Sequence, residues 1–421
     1  MALINVHCTL LAKFAFKKLA MKKQQFETLA IRTQTAQTSQ KEHSTPLYLT
    51  SSFTFDTAEE GAALFDGDIE GNLYSRFSNP NTDEFISKLN LLEGTETGIA
   101  TASGMAAVFG SIFPNVKSGD HIIASSAIFG NSINVITQIL PNYGIDYTLV
   151  DVDDNEAWKK AVRENTKFLF VETPSNPTLK MADLEFLGQL CKANDIIYCV
   201  DNCFATPYLQ KPIEFGADLI IHSATKYIDG QGRVLGGAIL GKKKYVDVCY
   251  NHLRRAGASL SPFNAWVLSK SLETLAIRMD RHCSNAAALT AYLETQEDVV
   301  NVIYPHSPTH PQYALAKKQM SQGGGLVGCE LKGGGLVGCE LKGGKERGTR
   351  FLNALQLHSL TANLGDTRSI ATHPASTTHS KLSEQEQLEV GITPGFIRFS
   401  LGLEHIDDII NDVKQALVSS R

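Results

Sequence analysis

Three polar residues follow short apolar runs of strand length, and their side chains could act together. Glu172 follows KFLFV, Asp201 follows IIYCV, and Lys226 comes four residues after ADLIIH. One charged residue after a strand often marks only the return of the chain to solvent. The carboxyl ends of parallel strands share one edge of a sheet, where open α/β sheets bind ligands. The three residues together therefore predict a site.

A lysine close to a carboxylate is the pair that pyridoxal phosphate needs. The amine forms a Schiff base with the aldehyde, and the carboxylate keeps the pyridine nitrogen protonated. Lys226 and Asp201 suit these roles. The phosphate needs backbone N–H donors at a helix start, and residues 101–105 end a strand and open an apolar helix expected at 106–113. Gly104 there allows the backbone to approach closely.

The elements that would position these residues alternate between strand and helix patterns from about residue 96. A helix is expected at 182–193, with Leu184, Leu187 and Cys191 on one face. Such alternation predicts an α/β fold with a mostly parallel sheet, helices on both faces and right-handed crossovers. The expected strands are 98–101, 121–125, 147–152, 167–172, 196–201, 217–222 and 234–240.

The pattern becomes helix-rich after about residue 265. Helices are expected at 262–279 and 284–293, followed by a late strand that contains Arg398 and an amphipathic helix at 406–418. This predicts a second, smaller α+β domain. We expect four parts in all: an extension (1–20), an extended arm (21–70), a large domain (71–265) and a small domain (266–421).

The bulk composition excludes several classes of protein. The chain has 421 residues, a hydrophobic fraction of 43% and a net charge of -5, which fits a two-domain globular protein without a basic footprint for nucleic acid. No apolar run reaches the roughly 20 residues of a membrane helix. None of the eight cysteines forms a C-x-x-C pair, so we expect reduced, buried thiols in the cytoplasm, without disulfides or a metal site.

Residues 1–20 have three lysines, no acidic residue and no arginine. They lack the continuous apolar core of a secretory signal and the arginines of a transit peptide. We interpret them as an upstream extension with Met21 as the working start; a short surface helix is the alternative.

One segment occurs twice. GGGLVGCELK spans 323–332 and is repeated identically at 333–342. A solitary ten-residue duplication is too short for a solenoid. Because the repeat has an even number of residues, a strand that runs through either copy presents the same side chains to the same face of the sheet. A copy that forms a loop instead costs little, since the entropy of loop closure grows slowly with loop length. We predict that one copy is dispensable.

Several further stretches carry a resemblance to a known family, and it extends from about residue 25 to the end. The chain resembles the trans-sulfuration enzymes, the pyridoxal-phosphate enzymes of cysteine and methionine metabolism. The matching stretches are YSRFSNPN (74–81), ATASGMAA (100–107), VETPSNPTL (171–179), VDNCFATPYLQKP (200–212), HSATKYIDGQGRVLGG (222–237), RRAGASLSPFNAWVLSKSLETLAIRM (254–279), LGDTRSIATHPASTTH (364–379) and FIRFSLGLE (396–404).

The resemblance implies an aspartate-aminotransferase-like fold (fold type I) with a seven-stranded sheet, and pyridoxal 5'-phosphate as cofactor. It implies that Lys226 is the Schiff-base lysine and general base and that Asp201 pairs the pyridinium nitrogen. The phosphate would be held by Ser103, Gly104, Met105, Ser223 and Thr225. Tyr74 and Arg76 would reach the same phosphate from the neighbouring subunit, so we expect at least a dimer, and a homotetramer of two such dimers.

The substrate side of the site is also implied by the resemblance. Arg398 would clamp the α-carboxylate through a bidentate pair, which lysine could not reproduce. Without the resemblance, the alternative for an arginine on a strand is an exposed side chain at the surface. Glu172 and Asn176 would orient cofactor and substrate; alternatively, Pro174, Asn176 and Pro177 form only a turn.

Two further residues, Phe129 and Cys203, are expected close to the cofactor. Phe129 stands where many family members have a tyrosine over the cofactor ring, so stacking is kept and the hydroxyl is lost. Any proton role of that tyrosine would pass to Lys226. Cys203, two residues after Asp201, is interpreted as packing and not as a nucleophile.

IDGQGR and SPFNAWV most resemble the O-succinylhomoserine sulfhydrylase branch. This implies replacement of the γ-succinyl group of O-succinylhomoserine by sulfide, giving homocysteine, with Arg233, Arg254 or Arg368 as receptor of the succinyl carboxylate. Cystathionine γ-synthase, O-acetylhomoserine sulfhydrylase and methionine γ-lyase are alternatives with the same cofactor. A non-catalytic protein that binds pyridoxal phosphate is an alternative of another class.

Overall fold

The computed structural model describes residues 24–332, 343–378, 380, 383–389 and 391–421. The extension at 1–20 and the second decapeptide copy at 333–342 lie outside the described residues. No helix in the described ranges is both long and apolar enough to cross a membrane. The six described cysteines are buried and have free thiols.

The helices and strands follow one another as expected for an α/β protein. The helices are α1 (Phe26–Arg32), α2 (Ala58–Asp66), α3 (Pro80–Glu93), α4 (Gly104–Ile112), α5 (Gly130–Asn134), α6 (Asn155–Ala161), α7 (Leu184–Ala193), α8 (Thr206–Leu209), α9 (Lys243–Ala256), α10 (Pro262–Leu272), α11 (Leu275–Leu293), α12 (Tyr313–Gln319), α13 (Gly343–Ala354), α14 (Glu384–Glu389) and α15 (Ile406–Ser419). The strands are β1 (Thr97–Thr101), β2 (His121–Ser125), β3 (Asp146–Val150), β4 (Thr166–Glu172), β5 (Ile197–Asp201), β6 (Leu219–Ser223), β7 (Gly237–Gly241), β8 (Val299–Ile303), β9 (Leu326–Leu331), β10 (Ser359–Leu360), β11 (Ile370–Thr372) and β12 (Phe396–Ser400).

The large sheet has seven strands in the order β1-β7-β6-β5-β4-β2-β3. Strands β2 to β6 are mutually parallel, and β7 runs antiparallel to both β6 and β1. Because successive strand residues face opposite sides, Val171, Val200 and Ile220 enter one apolar core while Cys199 and Ile221 enter the other. The predicted mostly parallel seven-stranded sheet is confirmed.

Some predicted boundaries were wrong, and hydrogen bonds explain why. Strand β7 begins at Gly237 instead of residue 234, because the Thr225 hydroxyl takes up the backbone N–H and carbonyl of Gly236 (3.2 and 3.3 Å). The helix expected at 262–279 breaks after Leu272. At the break the carbonyl of Ser271 accepts the backbone N–H of Thr274 (3.2 Å), a tighter turn than the α-helical bond, and also the guanidinium of Arg278 (3.0 Å).

The segment 21–70 is not entirely extended. It contains α1, which packs against α3, and α2, whose N-cap Thr57 accepts a hydrogen bond from the N–H of Glu60. The TxxE pattern of a capping box was a signal for α2 in the sequence. The boundary expected near residue 265 falls within α10, which packs on α3 of the large domain. The four-part division stays a prediction.

The smaller sheet has five strands in the order β10-β11-β12-β9-β8. Its core packs against α11 and α15. Strand β12 carries Arg398, and β9 is formed by the first copy of the repeated decapeptide, with Cys329 buried. The second, smaller α+β unit predicted from the sequence is therefore present.

Deleting Gly333–Lys342 is expected to preserve soluble, active protein, with a free energy of unfolding changed by no more than about 1 kcal/mol. The described residues before and after the deleted segment both lie next to Gly395. The N–H of Leu331 donates to the carbonyl of Gly395 (3.1 Å), and a Cβ on Gly344 would lie 3.0 Å from the nitrogen of Gly395. A short connection therefore suffices. The copies are identical, so deleting either gives the same polypeptide. Urea denaturation checks the prediction, which insoluble protein would contradict.

Candidate active site

A cavity of about 240 Å³ opens at the carboxyl ends of β4, β5 and β6. Ten of the predicted site residues line it: Ser103, Gly104, Met105, Phe129, Glu172, Asn176, Asp201, Ser223, Thr225 and Lys226. Parallel strands bring their ends to the same edge, which is why residues far apart in sequence meet here. The remaining lining residues are mostly apolar.

The Lys226 amine is partly buried and held in place. Its Nζ donates to Oδ1 of Asn363 at 2.5 Å. Burial lowers the pKa of Lys226 below its usual range, and the nearby charge of Arg398 lowers it further. Both effects favour the uncharged amine, the form that attacks an aldehyde or accepts a proton.

Glu172 and Asp201 form a buried pair of acids on neighbouring strands, since β4 and β5 pair with these two residues in register. Burial raises the pKa of Asp201 to about 6. Burial, followed by the charge of Asp201, raises the pKa of Glu172 well above its ordinary value. Oε2 of Glu172 accepts the backbone N–H of Phe129 (2.7 Å), so this side chain positions the residue expected to cover the cofactor ring.

The phosphate end of the site lies at the N-terminus of α4. Ser103 is the N-cap, and its Oγ accepts the N–H of Ala106 at 3.1 Å, so the first N–H groups of the helix remain available to an anion. Gly104 is required for close approach, because a Cβ there would lie 2.6 Å from the Cβ of Ser223. The hydroxyl of Ser223 therefore stands beside these N–H groups.

Arg398 lies beside the cavity and bridges the two sheets. Its Nη1 donates to Oδ1 of Asn176 (2.9 Å), and its Nη2 donates to the carbonyl of Asn363 (3.0 Å). The side chain is 2% exposed, and burial lowers its pKa to about 10. The guanidinium stays charged at neutral pH and can bind a carboxylate.

Tyr74 and Arg76 are not brought to this cavity. Both are exposed, and Arg76 donates to the carbonyl of Arg254 while its guanidinium lies 4.7 Å from the ring centroid of Phe77. Phe129 lines the cavity with 45% of its surface exposed.

Burial raises the pKa of the Cys203 thiol, and its Sγ lies 3.5 Å from the carbonyl of Ser223, in agreement with a packing role.

Asn363 is the residue of the site that sequence reasoning missed. It contacts both Lys226 and Arg398, but its sequence surroundings, TANLG, contain no charge or strand pattern that predicts a site. Its only signal was its position directly before the stretch 364–379, which resembles the family.

Asp201→Asn is expected to stabilise the cofactor-free protein by up to about 3 kcal/mol above pH 6, while weakening cofactor binding. The folded protein raises the pKa of this carboxyl, so burial of the charged form costs nothing below about pH 4. The cost grows between pH 4 and 6 and is complete above pH 6. Asparagine keeps the acceptor for the N–H of Cys203. Urea denaturation at pH 4.5 and pH 8 checks this; an equal difference at both pH values would contradict it.

The residues present fit pyridoxal phosphate. One cavity holds a helix N-terminus for the phosphate, an amine of lowered pKa for the aldehyde and a buried carboxylate for the ring nitrogen. Burial alone makes the charge of Asp201 costly, and a ring cation would offset that cost. The aromatic face of Phe129 supplies a stacking partner.

Comparison with known proteins agrees with this geometry. The family model described as "Cys/Met metabolism PLP-dependent enzyme" matches residues 27–418. The chain is 41% identical to the O-succinylhomoserine sulfhydrylase of Pseudomonas aeruginosa, over 94% of this chain and 95% of that protein. It is 40% identical to the L-methionine gamma-lyase of Porphyromonas gingivalis, over 89% of this chain and 92% of that protein.

A solved structure is similar along nearly the whole chain. It is a putative O-acetylhomoserine (thiol)-lyase from Campylobacter jejuni that carries N'-pyridoxyl-lysine-5'-monophosphate. The TM-score is 0.88 at 36% identity, and the match covers 94% of this chain and all of that one. The aspartate-aminotransferase-like fold and the cofactor pyridoxal phosphate expected from the sequence are confirmed. The chain belongs to the pyridoxal-phosphate-dependent enzymes of cysteine and methionine metabolism.

Proposed function

We propose that the protein catalyses γ-replacement on O-succinyl-L-homoserine with sulfide, giving L-homocysteine and succinate for methionine biosynthesis in the cytoplasm. The observation that carries the proposal is that Lys226 and Asp201 line one cavity, while Arg398 lies beside it and binds Asn176 of its wall. The similarity to the sulfhydrylase of Pseudomonas aeruginosa supports the choice of substrate.

Each residue has a role that follows from its surroundings. Arg398 binds the α-carboxylate and thereby orients the substrate. Lys226, whose lowered pKa favours the free amine, takes the Cα proton and returns protons later in the cycle. Asp201 balances the positive charge of the ring nitrogen. Pyridoxal phosphate, when bound, supplies the aldehyde that captures the substrate amine and the ring that accepts electrons.

None of the three arginines predicted to receive the succinyl carboxylate lines the cavity of its own chain. Arg233 pairs with Asp229 (2.9 Å), Arg254 stacks on Phe77, and Arg368 is exposed beside Asp366. Among described residues, Lys226 is the only cation that lines the cavity. If the substrate is succinylated, we propose that the neighbouring subunit supplies the counter-charge.

The same observation favours a second candidate, γ-elimination of methionine. Its leaving group is an uncharged thiol, which needs no cationic receptor. The cavity wall includes Phe204, Leu235, Ala362 and Leu364, which suit an apolar substituent. The methionine gamma-lyase of Porphyromonas gingivalis supports this candidate at similar identity. Cystathionine γ-synthase and O-acetylhomoserine sulfhydrylase would use the same residues with another nucleophile or acyl group.

We propose that the active unit is a dimer within a homotetramer, in which Tyr74 and Arg76 complete the cavity of the neighbouring subunit. Both side chains are exposed, and neither lines the cavity of its own chain, which supports this arrangement.

The test offers sulfide and cysteine together with O-succinylhomoserine, and in parallel offers O-acetylhomoserine or methionine alone. Mass spectrometry identifies the products, and the Lys226→Ala protein controls for uncatalysed reaction. Homocysteine with succinate is the expected result. Cystathionine would instead indicate the synthase, and 2-oxobutanoate from methionine would indicate the lyase. Absence of any released succinate would overturn the proposed substrate.

A further inference from the structure

A second set of polar side chains lies behind the strand ends that form the cavity. Asp201 pairs in register with Ile221, so the next residue, His222, faces the opposite side of the sheet from Asp201. There its Nε2 lies 2.6 Å from Oε1 of Glu93, the last residue of α3. Both side chains are fully buried. Since a carboxylate can only accept, the Nε2 of His222 carries the hydrogen.

Glu93 also binds the residue that follows β5. Its Oε1 accepts from Nδ2 of Asn202 at 2.9 Å. Gln210 continues the network, because its Nε2 donates to Oδ1 of Asn202 (3.1 Å) and to the carbonyl of Thr173 (3.0 Å). One chain of hydrogen bonds therefore links the ends of β4, β5 and β6 to the end of α3.

Each residue of this network that lies at the end of a strand is adjacent in sequence to a residue that lines the cavity. Thr173 follows Glu172, Asn202 follows Asp201, and His222 precedes Ser223. A displacement behind the sheet is therefore transmitted through one peptide unit to a group at the cofactor.

The network contributes unfavourably to the stability of the fold, because several of its buried polar atoms have no hydrogen-bond partner among the described residues. Within the described part of the chain, Oε2 of Glu93, Nδ1 of His222 and Oε1 of Gln210 are buried and make no hydrogen bond. A partly satisfied buried network is less favourable than apolar packing of the same volume. Stability alone does not explain why a carboxylate occupies this position.

We propose that Glu93 is a positioning residue: through His222 and Asn202 it fixes the strand ends that present Asp201 and Ser223 to the two ends of pyridoxal phosphate. The proposal depends on the cofactor of the family and not on which γ-substituent is replaced.

Glu84 supplies the matched control. It lies on the same helix and is also buried, but its carboxylate binds Ser269 (2.7 Å), the N–H of Thr35 (2.9 Å) and Lys88 (3.3 Å). None of these partners is next to a cavity residue. Glu84→Leu should therefore lower stability without changing the geometry at the cofactor.

The experiment compares Glu93→Leu, Glu93→Gln and Glu84→Leu in the full chain. The cofactor is removed, and the affinity of each protein for pyridoxal phosphate is measured by titration, together with the absorption spectrum of the bound cofactor, kcat and KM. Glu93→Leu is expected to weaken affinity about tenfold, shift the spectrum and lower kcat about tenfold to a hundredfold with little change in KM. Glu93→Gln keeps the acceptor for His222 and Asn202 and should restore most of each quantity.

The proposal is overturned if Glu93→Leu retains the wild-type affinity and spectrum, or if Glu84→Leu changes them equally. If Glu93→Leu does not fold, His222→Leu is measured against the same criteria, since it removes one of the two donors to Glu93 and leaves the carboxylate in place. Because affinity and spectrum are read without turnover, a wrong choice of substrate would change neither measurement.

Discussion

Replacing Lys226 by alanine is expected to abolish turnover and the absorption of lysine-bound pyridoxal phosphate. The variant loses the amine that holds the aldehyde and the base that accepts the Cα proton, and loss of the base alone typically costs about 10²–10⁴-fold in rate. Among the described residues, Nζ of Lys226 donates a hydrogen bond to Asn363 alone, so the fold should remain intact. Steady-state kinetics and the absorption spectrum measure the two losses separately.

Lys243→Ala is the matched control for this prediction. Lys243 lies at the start of α9 with its side chain 70% exposed and paired to Asp247, far from the proposed chemistry. The control should keep wild-type kinetics and spectrum. Full turnover by the Lys226→Ala protein would contradict the prediction, because it would show that the reaction does not need the Lys226 amine.

Arg398→Lys is expected to lower kcat/KM by about 30- to 1000-fold, mainly through KM, which corresponds to about 2–4 kcal/mol of lost carboxylate binding. Lysine keeps the charge but loses the planar fork that holds Asn176, Asn363 and a carboxylate together. The measurement is kcat/KM with the amino-acid substrate and with the corresponding amine that lacks the carboxylate.

The wild-type protein should strongly prefer the amino acid, and the Arg398→Lys protein should lose most of that preference. Arg350→Lys serves as control, because the Arg350 side chain donates to the carbonyl of Ser420 in the small domain, away from the cavity. An unchanged preference in Arg398→Lys would show that another group binds the carboxylate.

The parallel part of the fold could be predicted from the sequence because buried strands there are continuous apolar runs. KFLFV and IIYCV fall within one residue of β4 and β5. The boundaries that failed, at Gly237 and Leu272, involve hydrogen bonds from the side chains of Thr225 and Arg278 to the backbone. Local periodicity does not contain such contacts.

The candidate site shows the same limit. Glu172, Asp201 and Lys226 could be found because a charge shortly after an apolar strand is a local pattern. Asn363 and Glu93 could not, since neither directly follows a strand of the large sheet in sequence. Each reaches its partner only after the chain has folded, through a loop of the small domain or the end of a helix.

The pairing of β1 with β7 has a consequence for synthesis of the protein. Thr97 pairs with Gly241, so β1 has no sheet partner until β7 has been made. At about 5–20 residues per second, a ribosome adds the intervening chain in about 7 to 30 seconds. During that interval β1 is without the strand that pairs with it in the folded protein.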